Sequence, residues 1–380
     1  MAPSESALGS DRPAAPISGA TARDDAAFMH RALSEARKGW GQTAPNPMVG
    51  AVVVRSGEIV ATGHHTRFGA PHAEVEALRA AGERAAGATV YATLEPCAHT
   101  GKTPPCVDAL IAAGVSRVVV AARDPNPEAA GGVERLREAG ITVDVGVVEG
   151  EARELNAPFF HSFAARRPWI TLKLALSLDG ALADAGGRSR WVTGEESRRI
   201  VHEMRAGSDA VAVGIGTVLS DDPSLTVRDA PAPRILPTRV VFDRHARLPV
   251  GSVLARTARE VPTLIVSDAP AAARVAALDA LGVRVVRAAS LAAALDTLGD
   301  AGIRSLLVEG GARLAGALIG TGYVDRLVIF QGSAVLGAGA LGAFDFVPPM
   351  EVERAPRWRA LERREVGADT MTVYAPPSND

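Results

Sequence analysis

Residues 71–81 read PHAEVEALRAA and residues 93–106 read TLEPCAHTGKTPPC, and these two stretches decide the fold of the N-terminal half. They contain both cysteines of the chain, Cys97 and Cys106, together with His72. One imidazole and two thiolates form a three-ligand set for zinc, and a catalytic zinc keeps its fourth position for water, whereas a structural zinc fills it with protein. The ligand count therefore favours a catalytic zinc site.

Glu74 follows His72 by two residues at the predicted start of a helix, where both side chains can reach one pocket. A carboxylate there takes a proton from water and delivers it to a leaving amine, which is its task in zinc nucleobase deaminases. The signature of those enzymes is altered here, because eight residues instead of two separate Cys97 from Cys106. The two prolines before Cys106 suit the first turn of a helix. We therefore interpret the eight residues as a loop between two ligands.

Helical and strand patterns alternate around these motifs. The predicted helices cover residues 24–38, 73–81, 106–113 and 134–139, and the predicted strands cover 49–54, 58–61, 88–94, 117–122 and 141–147. The strands at 49–54 and 58–61 form a hairpin through a Ser-Gly turn. This order predicts a mixed sheet with helices on its faces.

A second alternating region begins at Trp169, after a partly helical connector over 149–168. Its predicted strands cover residues 170–175, 210–214, 239–242, 263–266, 283–286, 305–308 and 326–329, and its predicted helices cover 195–206, 291–301 and 312–319. No Gly-x-Gly-x-x-Gly fingerprint follows a strand, which disfavours a Rossmann domain. The strand, Gly310-Gly311 turn and helix near residue 311 instead offer glycines and helix N–H groups to a phosphate.

The 380 residues include 41 Lys and Arg against 43 Asp and Glu, a formal net charge of −2. This balance provides no global attraction to nucleic acid or anionic membranes. The apolar runs are too short to span a bilayer, and two cysteines do not make a disulfide scaffold. The first twenty residues lack the apolar core of a signal peptide. We therefore predict a cytoplasmic globular protein that binds neither nucleic acid nor membrane.

The chain resembles the bifunctional deaminase–reductases of bacterial riboflavin biosynthesis. The resemblance rests on PNPMVG at 45–50, PHAE at 71–74, TLEPC at 93–97, TPPC at 103–106, DPNP at 124–127, LKLALSLDG at 172–180, SRWVT at 189–193, DDPSLTVR at 221–228 and VEGG at 308–311. The eight-residue insert between the cysteines is characteristic of this family. The order of the motifs in one chain adds to their specificity.

The resemblance implies an α/β protein with a cytidine-deaminase-like mixed sheet, helices on both faces, and a dihydrofolate-reductase-like α/β domain. The first domain would hydrolyse the 2-amino group of 2,5-diamino-6-ribosylamino-4(3H)-pyrimidinone 5′-phosphate. The second would use NADPH to reduce the ribosyl group, giving 5-amino-6-ribitylamino-uracil 5′-phosphate. The expected divisions are a disordered leader over 1–23, the deaminase domain over 24–150, a linker over 151–168 and the reductase domain over 169–376.

The family motifs also imply roles for individual residues. His72, Cys97 and Cys106 would bind zinc, Glu74 would shuttle the proton, and Asn46 would bind substrate through its amide. His99, Lys102 and Thr103 are further candidates for contacts with the phosphate or the ribose. The implied NADPH contacts are Ala175, Trp191, Thr217, Asp221, Gly311, Ala312, Arg313, Leu314, Ala315, Gly316 and Ala317. The implied substrate contacts in the second domain are Ser189, Arg205, Leu225, Arg228 and Glu309.

Two alternatives remain open from the residues themselves. The chain is a single-activity zinc nucleobase deaminase with a non-catalytic C-terminal binding or assembly domain, or its metal is purely structural. Arg205 and Arg228 argue against the first alternative, because guanidinium groups bind sugar phosphates bidentately. A small-molecule substrate, a pyrimidine ribose phosphate, is the expected partner. The resemblance also implies a homodimer or homotetramer.

Overall fold

The computed structural model describes residues 22–344 and 346–377. The predicted leader lies outside the described residues except for 22 and 23, which begin the first helix. Within the described ranges, each helix is too short or too polar to cross a bilayer.

The N-terminal half forms a five-stranded sheet with helices on both faces. Its strands are β1 (Gly50–Arg55), β2 (Glu58–His64), β3 (Thr89–Leu94), β4 (Arg117–Ala122) and β5 (Thr142–Val145), in the order β2-β1-β3-β4-β5. Its helices are α1 (Ala22–Ala36), α2 (Ala73–Ala81), α3 (Cys106–Ala112) and α4 (Gly132–Glu138). The strands β2, β1 and β3 pair antiparallel, whereas β3, β4 and β5 pair parallel. The predicted mixed sheet is therefore confirmed.

Two apolar layers hold this sheet. Met29 and Leu33 of α1 pack with Tyr91 on one face, while Leu110 of α3 and Leu136 of α4 belong to the layer on the other face. The connector consists of two short helices, α5 (Glu149–Leu155) and α6 (Ala157–Ala164), which pack on the same face as α1. The sheet thus has a helix layer on each side, and α2 and α3 share the layer that carries the zinc motifs.

Two glycines allow the close approaches around those motifs. A Cβ added at Gly63 would lie 2.4 Å from the carbonyl oxygen of Ala73, so that only glycine lets α2 pack this closely on β2. A Cβ at Gly132 would lie 1.8 Å from the carbonyl oxygen of Pro96. The N-terminus of α4 therefore rests directly against the segment that contains Cys97.

The C-terminal half contains a nine-stranded sheet. Its strands are β6 (Trp169–Leu176), β8 (Ala210–Gly214), β9 (Thr238–Phe242), β10 (Thr263–Ser267), β11 (Val283–Arg287), β12 (Ser305–Glu309), β13 (Arg326–Gln331), β15 (Arg359–Val366) and β16 (Asp369–Ala375). They lie in the order β11-β10-β9-β8-β12-β6-β13-β16-β15. Two further strands, β7 (Ala181–Ala183) and β14 (Leu341–Gly342), form a separate pair. Its helices are α7 (Glu195–Ala206), α8 (Ile215–Asp221), α9 (Val253–Arg256), α10 (Ala272–Asp279), α11 (Leu291–Asp300) and α12 (Ala312–Gly320).

The first seven strands in this order run parallel, and β16 and β15 are antiparallel additions at one edge. Parallel strands place all their carboxyl ends on one side of a sheet, where ligands bind in open α/β folds. The predicted strands of this region are confirmed to within two residues. The sequence patterns did not predict α8, α9, α10, the pair β7 and β14, or the terminal hairpin. β15 was missed because seven of its eight residues are exposed and leave no alternation of apolar and polar side chains.

Candidate active sites

Three side chains meet in the N-terminal half in the manner of a metal site. The ligand atoms of His72, Cys97 and Cys106 all lie within 4.8 Å of one another, and we call these residues the His-Cys-Cys cluster. His72 Nδ1 is 3.2 Å from Cys106 Sγ and 3.5 Å from Cys97 Sγ. The fold therefore brings together the three residues that the sequence identified as zinc ligands.

The backbone explains this convergence. His72 immediately precedes α2, Cys106 is the first residue of α3, and Cys97 follows the buried strand β3. The backbone N–H of Cys106 donates to Cys97 Sγ over 3.4 Å. Hydrogen bonding from Cys106 lowers the pKa of Cys97, which favours the thiolate form of this side chain. A thiolate beside an imidazole and a second thiol is a donor set that zinc prefers.

Glu74 lies in the first turn of α2, directly beside the cluster. Only 3% of the residue is exposed, and its Oε2 atom has no hydrogen-bond partner among the described residues. Burial raises the pKa of the carboxyl group to about 7. A buried carboxyl group with a free oxygen is costly unless a polar ligand meets it. The His-Cys-Cys cluster fits a zinc ion that these three residues would hold, and the orphaned oxygen of Glu74 beside it could meet a polar group bound at the same site.

Asn46, the predicted substrate contact of the deaminase, is linked to the His-Cys-Cys cluster through His65. Its Nδ2 donates to His65 Nε2 over 3.2 Å, and His65 Nδ1 donates to the carbonyl oxygen of Pro71 over 3.1 Å. The His65 and His72 rings meet edge to face with their centroids 5.3 Å apart. Burial lowers the pKa of His65, which keeps this imidazole neutral. Lys102, from the loop between the cysteines, holds its ammonium 4.0 Å from the centre of the Phe68 ring.

The C-terminal half contains a cavity of about 2300 Å³ at the carboxyl ends of β6, β8 and β12. Sixteen residues were implied as contacts of NADPH or substrate in this half. The cavity is lined by Ala175, Ser189, Trp191, Arg205, Thr217, Asp221, Leu225, Arg228, Glu309, Gly311, Ala312, Arg313, Leu314 and Ala317. Ala315 and Gly316 do not line it. Ala315 is buried in the core, and Gly316 faces Phe346.

A charge cluster, consisting of Lys173, Arg205 and Glu309, lies in the wall of this cavity. Arg205 Nε donates to Glu309 Oε1 over 2.5 Å and Nη2 donates to Oε2 over 3.0 Å, while Lys173 Nζ is 3.5 Å from Oε2. Burial alone would raise the pKa of Glu309, but the two cations hold it at about 2. Arg205 Nη1 donates to the carbonyl oxygen of Thr226. Because Glu309 occupies the edge formed by Nε and Nη2, Arg205 does not present this edge to a phosphate, as the sequence suggested.

Sequence reasoning assigned no role to Lys173, although a signal was available. Lys173 and Ala175 are two residues apart on β6, and alternate residues of a strand face the same side. The predicted NADPH contact at Ala175 therefore places Lys173 on the cavity side as well, where both residues line the wall.

Glycines keep part of the cavity wall open. Gly311 precedes α12, and a Cβ added there would lie 3.3 Å from Thr217 Oγ1. A Cβ added at Gly216 would meet no atom within 4 Å, although Gly216 lines the cavity. Bare backbone next to a helix N-terminus is a favourable place for the phosphate groups of a dinucleotide. These residues fit NADPH.

Comparison with known proteins matches both halves of the chain. A family model described as the cytidine and deoxycytidylate deaminase zinc-binding region matches residues 22–122, and one described as the RibD C-terminal domain matches residues 168–372. The riboflavin biosynthesis protein RibD of Aquifex aeolicus is 47% identical over 354 residues, which cover 92% of this chain and 98% of that protein. RibD of Escherichia coli is 42% identical, with coverage of 91% and 97%.

Solved structures agree with these matches. Acinetobacter baumannii RibD superposes with a TM-score of 0.83 at 38% identity, covering 94% of this chain and all of that one. A Thermotoga maritima diaminohydroxyphosphoribosylaminopyrimidine deaminase/5-amino-6-(5-phosphoribosylamino)uracil reductase has a TM-score of 0.81 at 36% identity, with coverage of 93% and 99%. The predicted fold class and the two predicted activities are confirmed. The chain belongs to the RibD family, whose members combine a zinc-dependent deaminase and an NADPH-dependent reductase in riboflavin biosynthesis.

Proposed function

We propose that the chain converts 2,5-diamino-6-ribosylamino-4(3H)-pyrimidinone 5′-phosphate to 5-amino-6-ribitylamino-uracil 5′-phosphate in two steps at two sites. The observation that carries the proposal is the His-Cys-Cys cluster with the orphaned carboxyl oxygen of Glu74 beside it. The first step replaces the 2-amino group by oxygen with water as co-substrate and releases ammonia. The second step takes a hydride from NADPH and a proton from solvent to open the ribosyl ring to a ribityl chain.

In the deamination step, His72, Cys97 and Cys106 hold the zinc. When bound, zinc lowers the pKa of a water molecule and makes it nucleophilic near neutral pH. Glu74 accepts a proton at its free Oε2 atom and passes it to the leaving amine. Burial favours protonation of the Glu74 carboxyl group, and a proton shuttle must both accept and release a proton near the working pH. Asn46 orients the pyrimidine ring through its side-chain amide.

In the reduction step, the cavity holds the dinucleotide against the ribosyl carbon. The backbone around Gly311 receives the phosphate groups, and Trp191 and Thr217 line the space for the rest of NADPH. NADPH supplies the hydride. Arg228 carries the substrate phosphate, because the guanidinium of Arg205 is paired with the carboxylate of Glu309, whereas Arg228 Nη1 donates to the neutral hydroxyl groups of Ser224 and Thr226. The negative charge of Glu309 in turn holds the ammonium of Lys173 at the cavity wall.

We also propose the domain divisions predicted from the sequence, with the deaminase domain over 24–150, the linker over 151–168 and the reductase domain over 169–376. The two sheets and the connector helices support these divisions. A cytoplasmic location and a homodimer or homotetramer remain predictions of the sequence. Cell fractionation and sedimentation of the purified chain would test them.

Mass spectrometry tests both steps together. Zinc-loaded protein is incubated with the diaminopyrimidinone phosphate, with and without NADPH. The expected product without NADPH has one amine replaced by oxygen, and a gain of two hydrogens occurs only with NADPH. A deaminated product that never gains hydrogen, even when the intermediate is supplied directly, would support a single-activity deaminase. Recovery of unchanged substrate from the zinc-loaded protein would reject the deamination step.

A further inference from the structure

A loop of the deaminase domain is held mainly by the reductase domain. We call residues 40–46 the docking loop. The carbonyl oxygen of Gly41 accepts from the backbone N–H of Arg234 over 2.9 Å. The Arg234 side chain donates from Nε to the carbonyl oxygen of Gln42 over 3.2 Å and from Nη2 to that of Ala44. Arg304 Nη1 donates to the carbonyl oxygen of Pro45 over 2.8 Å. Two arginines of the reductase domain therefore bind four carbonyl groups of this loop.

Side chains of the docking loop also donate to backbone carbonyl groups of the reductase domain. One of these contacts joins the loop to α7, the helix that contains Arg205. Trp40 Nε1 donates to the carbonyl oxygen of Glu203, near the end of α7, over 2.8 Å. The indole lies against Gly207, where an added Cβ would be 2.0 Å from the ring. Gln42 Nε2 donates to the carbonyl oxygen of Ala232 over 2.9 Å. The docking loop is thus fixed by both side-chain and backbone groups of the reductase domain.

Asn46 is the last residue of the docking loop, and the backbone of the loop determines where its side chain lies. Its backbone N–H donates to the carbonyl oxygen of Thr43 over 2.9 Å, inside the loop. On its other side, Met48 is fixed by Asn156, which accepts from the Met48 N–H and donates to the Met48 carbonyl, each over 2.8 Å. The side chain of Asn46 therefore projects toward His65 from a short span of backbone that is anchored before and after it.

We infer that Arg234 and Arg304 are positioning residues for deamination, supplied by the reductase domain. Their side chains donate to backbone carbonyl groups of the docking loop, and they act by fixing the backbone from which Asn46 reaches the pyrimidine ring. Hydrogen bonds from charged donors are stronger than neutral ones, and small displacements of a substrate-orienting group cost much of its effect. The inference rests on the proposed role of Asn46 in binding the deaminase substrate.

The test compares R234A, R304A and the double variant with wild type. Deamination is measured for KM and kcat, and reduction is measured separately with the deaminated intermediate and NADPH supplied. We expect the double variant to raise the deaminase KM about tenfold, with kcat within about threefold of wild type. Reductase activity and zinc content per chain should not change. R304K retains a donor for the Pro45 carbonyl. Its deaminase KM should therefore lie closer to the wild-type value than that of R304A.

R259A is the matched control. Arg259 also donates to a backbone carbonyl, that of Ala280, but both residues lie within the reductase domain. A wild-type deaminase KM in the double variant would overturn the inference. Parallel losses of reductase activity and zinc would also overturn it, because they would indicate a merely structural interface.

N46A separates this inference from the proposed function. If N46A leaves the deaminase KM unchanged, the proposed role of Asn46 fails and the positioning argument fails with it. If N46A raises KM and the double arginine variant does not, only the positioning argument fails. If N46A and the double arginine variant both raise the deaminase KM, adding the arginine substitutions to N46A should raise it little further. The reason is that substitutions acting through one contact do not have additive effects.

Discussion

The two active sites differ in how the chain builds them. The His-Cys-Cys cluster draws its ligands from a short span, His72 to Cys106, and side-chain chemistry defines it. The reductase cavity is lined by residues from Lys173 to Phe346, among them glycines, alanines and many charged side chains. A site defined by three ligating side chains fails when one ligand atom is removed. A site whose wall is shared among many residues should lose affinity gradually as single residues of the wall are changed.

The largest effect expected from this contrast is in E74Q. The substitution keeps the shape of the side chain but removes its ability to accept and release a proton. We expect the kcat of deamination to fall by about 10²–10⁴-fold, the usual contribution of a general acid–base group. Zinc content, measured by metal analysis, should stay at the wild-type value. Reduction of the supplied intermediate should be unchanged, and a parallel loss of it would show that the two sites are not independent.

E309Q should have the next largest effect, this time in the reductase. Removing one charge from a buried pair leaves its partners uncompensated and typically costs about 3–5 kcal/mol. We expect a lower melting temperature and a fall of about 30–100-fold in kcat/KM for reduction, because Arg205 and Lys173 lose their shared partner. Deamination should persist at temperatures where the variant is folded. An unchanged melting temperature would contradict the ion-pair geometry.

The same variant has a defined pH dependence. The folded-state pKa of Glu309 is about 2, below its ordinary value of 4.5. The stability that the ionised carboxylate contributes is therefore present above about pH 4.5 and is lost as the pH falls toward 2. Measured by chemical unfolding, the advantage of wild type over E309Q should shrink from pH 6 to pH 3. An advantage that grows over this range would reverse the assigned sign.

G311V should have the smallest effect of the three. Its added side chain meets Thr217 Oγ1 and narrows the phosphate end of the cavity. We expect the KM for NADPH to rise about tenfold with little change in kcat. The reason is that the lost contact stabilises the ground state and the transition state equally. G251V is a control, since a Cβ at Gly251 meets no atom within 4 Å and this residue lies outside the cavity wall. Equal KM values for the two variants would place the phosphates elsewhere.

The same contrast explains which features the sequence could predict. His72, Cys97 and Cys106 were identifiable because zinc chemistry restricts the residue types and their spacing. Strands such as β4, with five buried residues out of six, were identifiable from apolar runs. By contrast, Ala315 was assigned to the cofactor site because the family contacts run continuously along α12, whereas one face of a helix must pack inward.

The links between the two domains were the least predictable feature. Arg234 and Arg304 lie in segments with no motif, and their partners are backbone carbonyls about 190 and 259 positions earlier in the chain. A carbonyl group carries no sequence signal, so the pairing becomes visible only in three dimensions. The charge cluster was partly accessible, since its members lie in family motifs, but the engagement of Arg205 by Glu309 was not.

X-ray absorption spectroscopy of the zinc-loaded chain tests the central claim most directly, because it counts the atoms around the metal. We expect two sulfur ligands and one imidazole, with the remaining position filled by solvent. C97S should reduce the sulfur count to one. A second imidazole, a directly coordinated Glu74 carboxylate in the resting protein, or a shell without sulfur would contradict the open, three-ligand site on which the deamination mechanism depends.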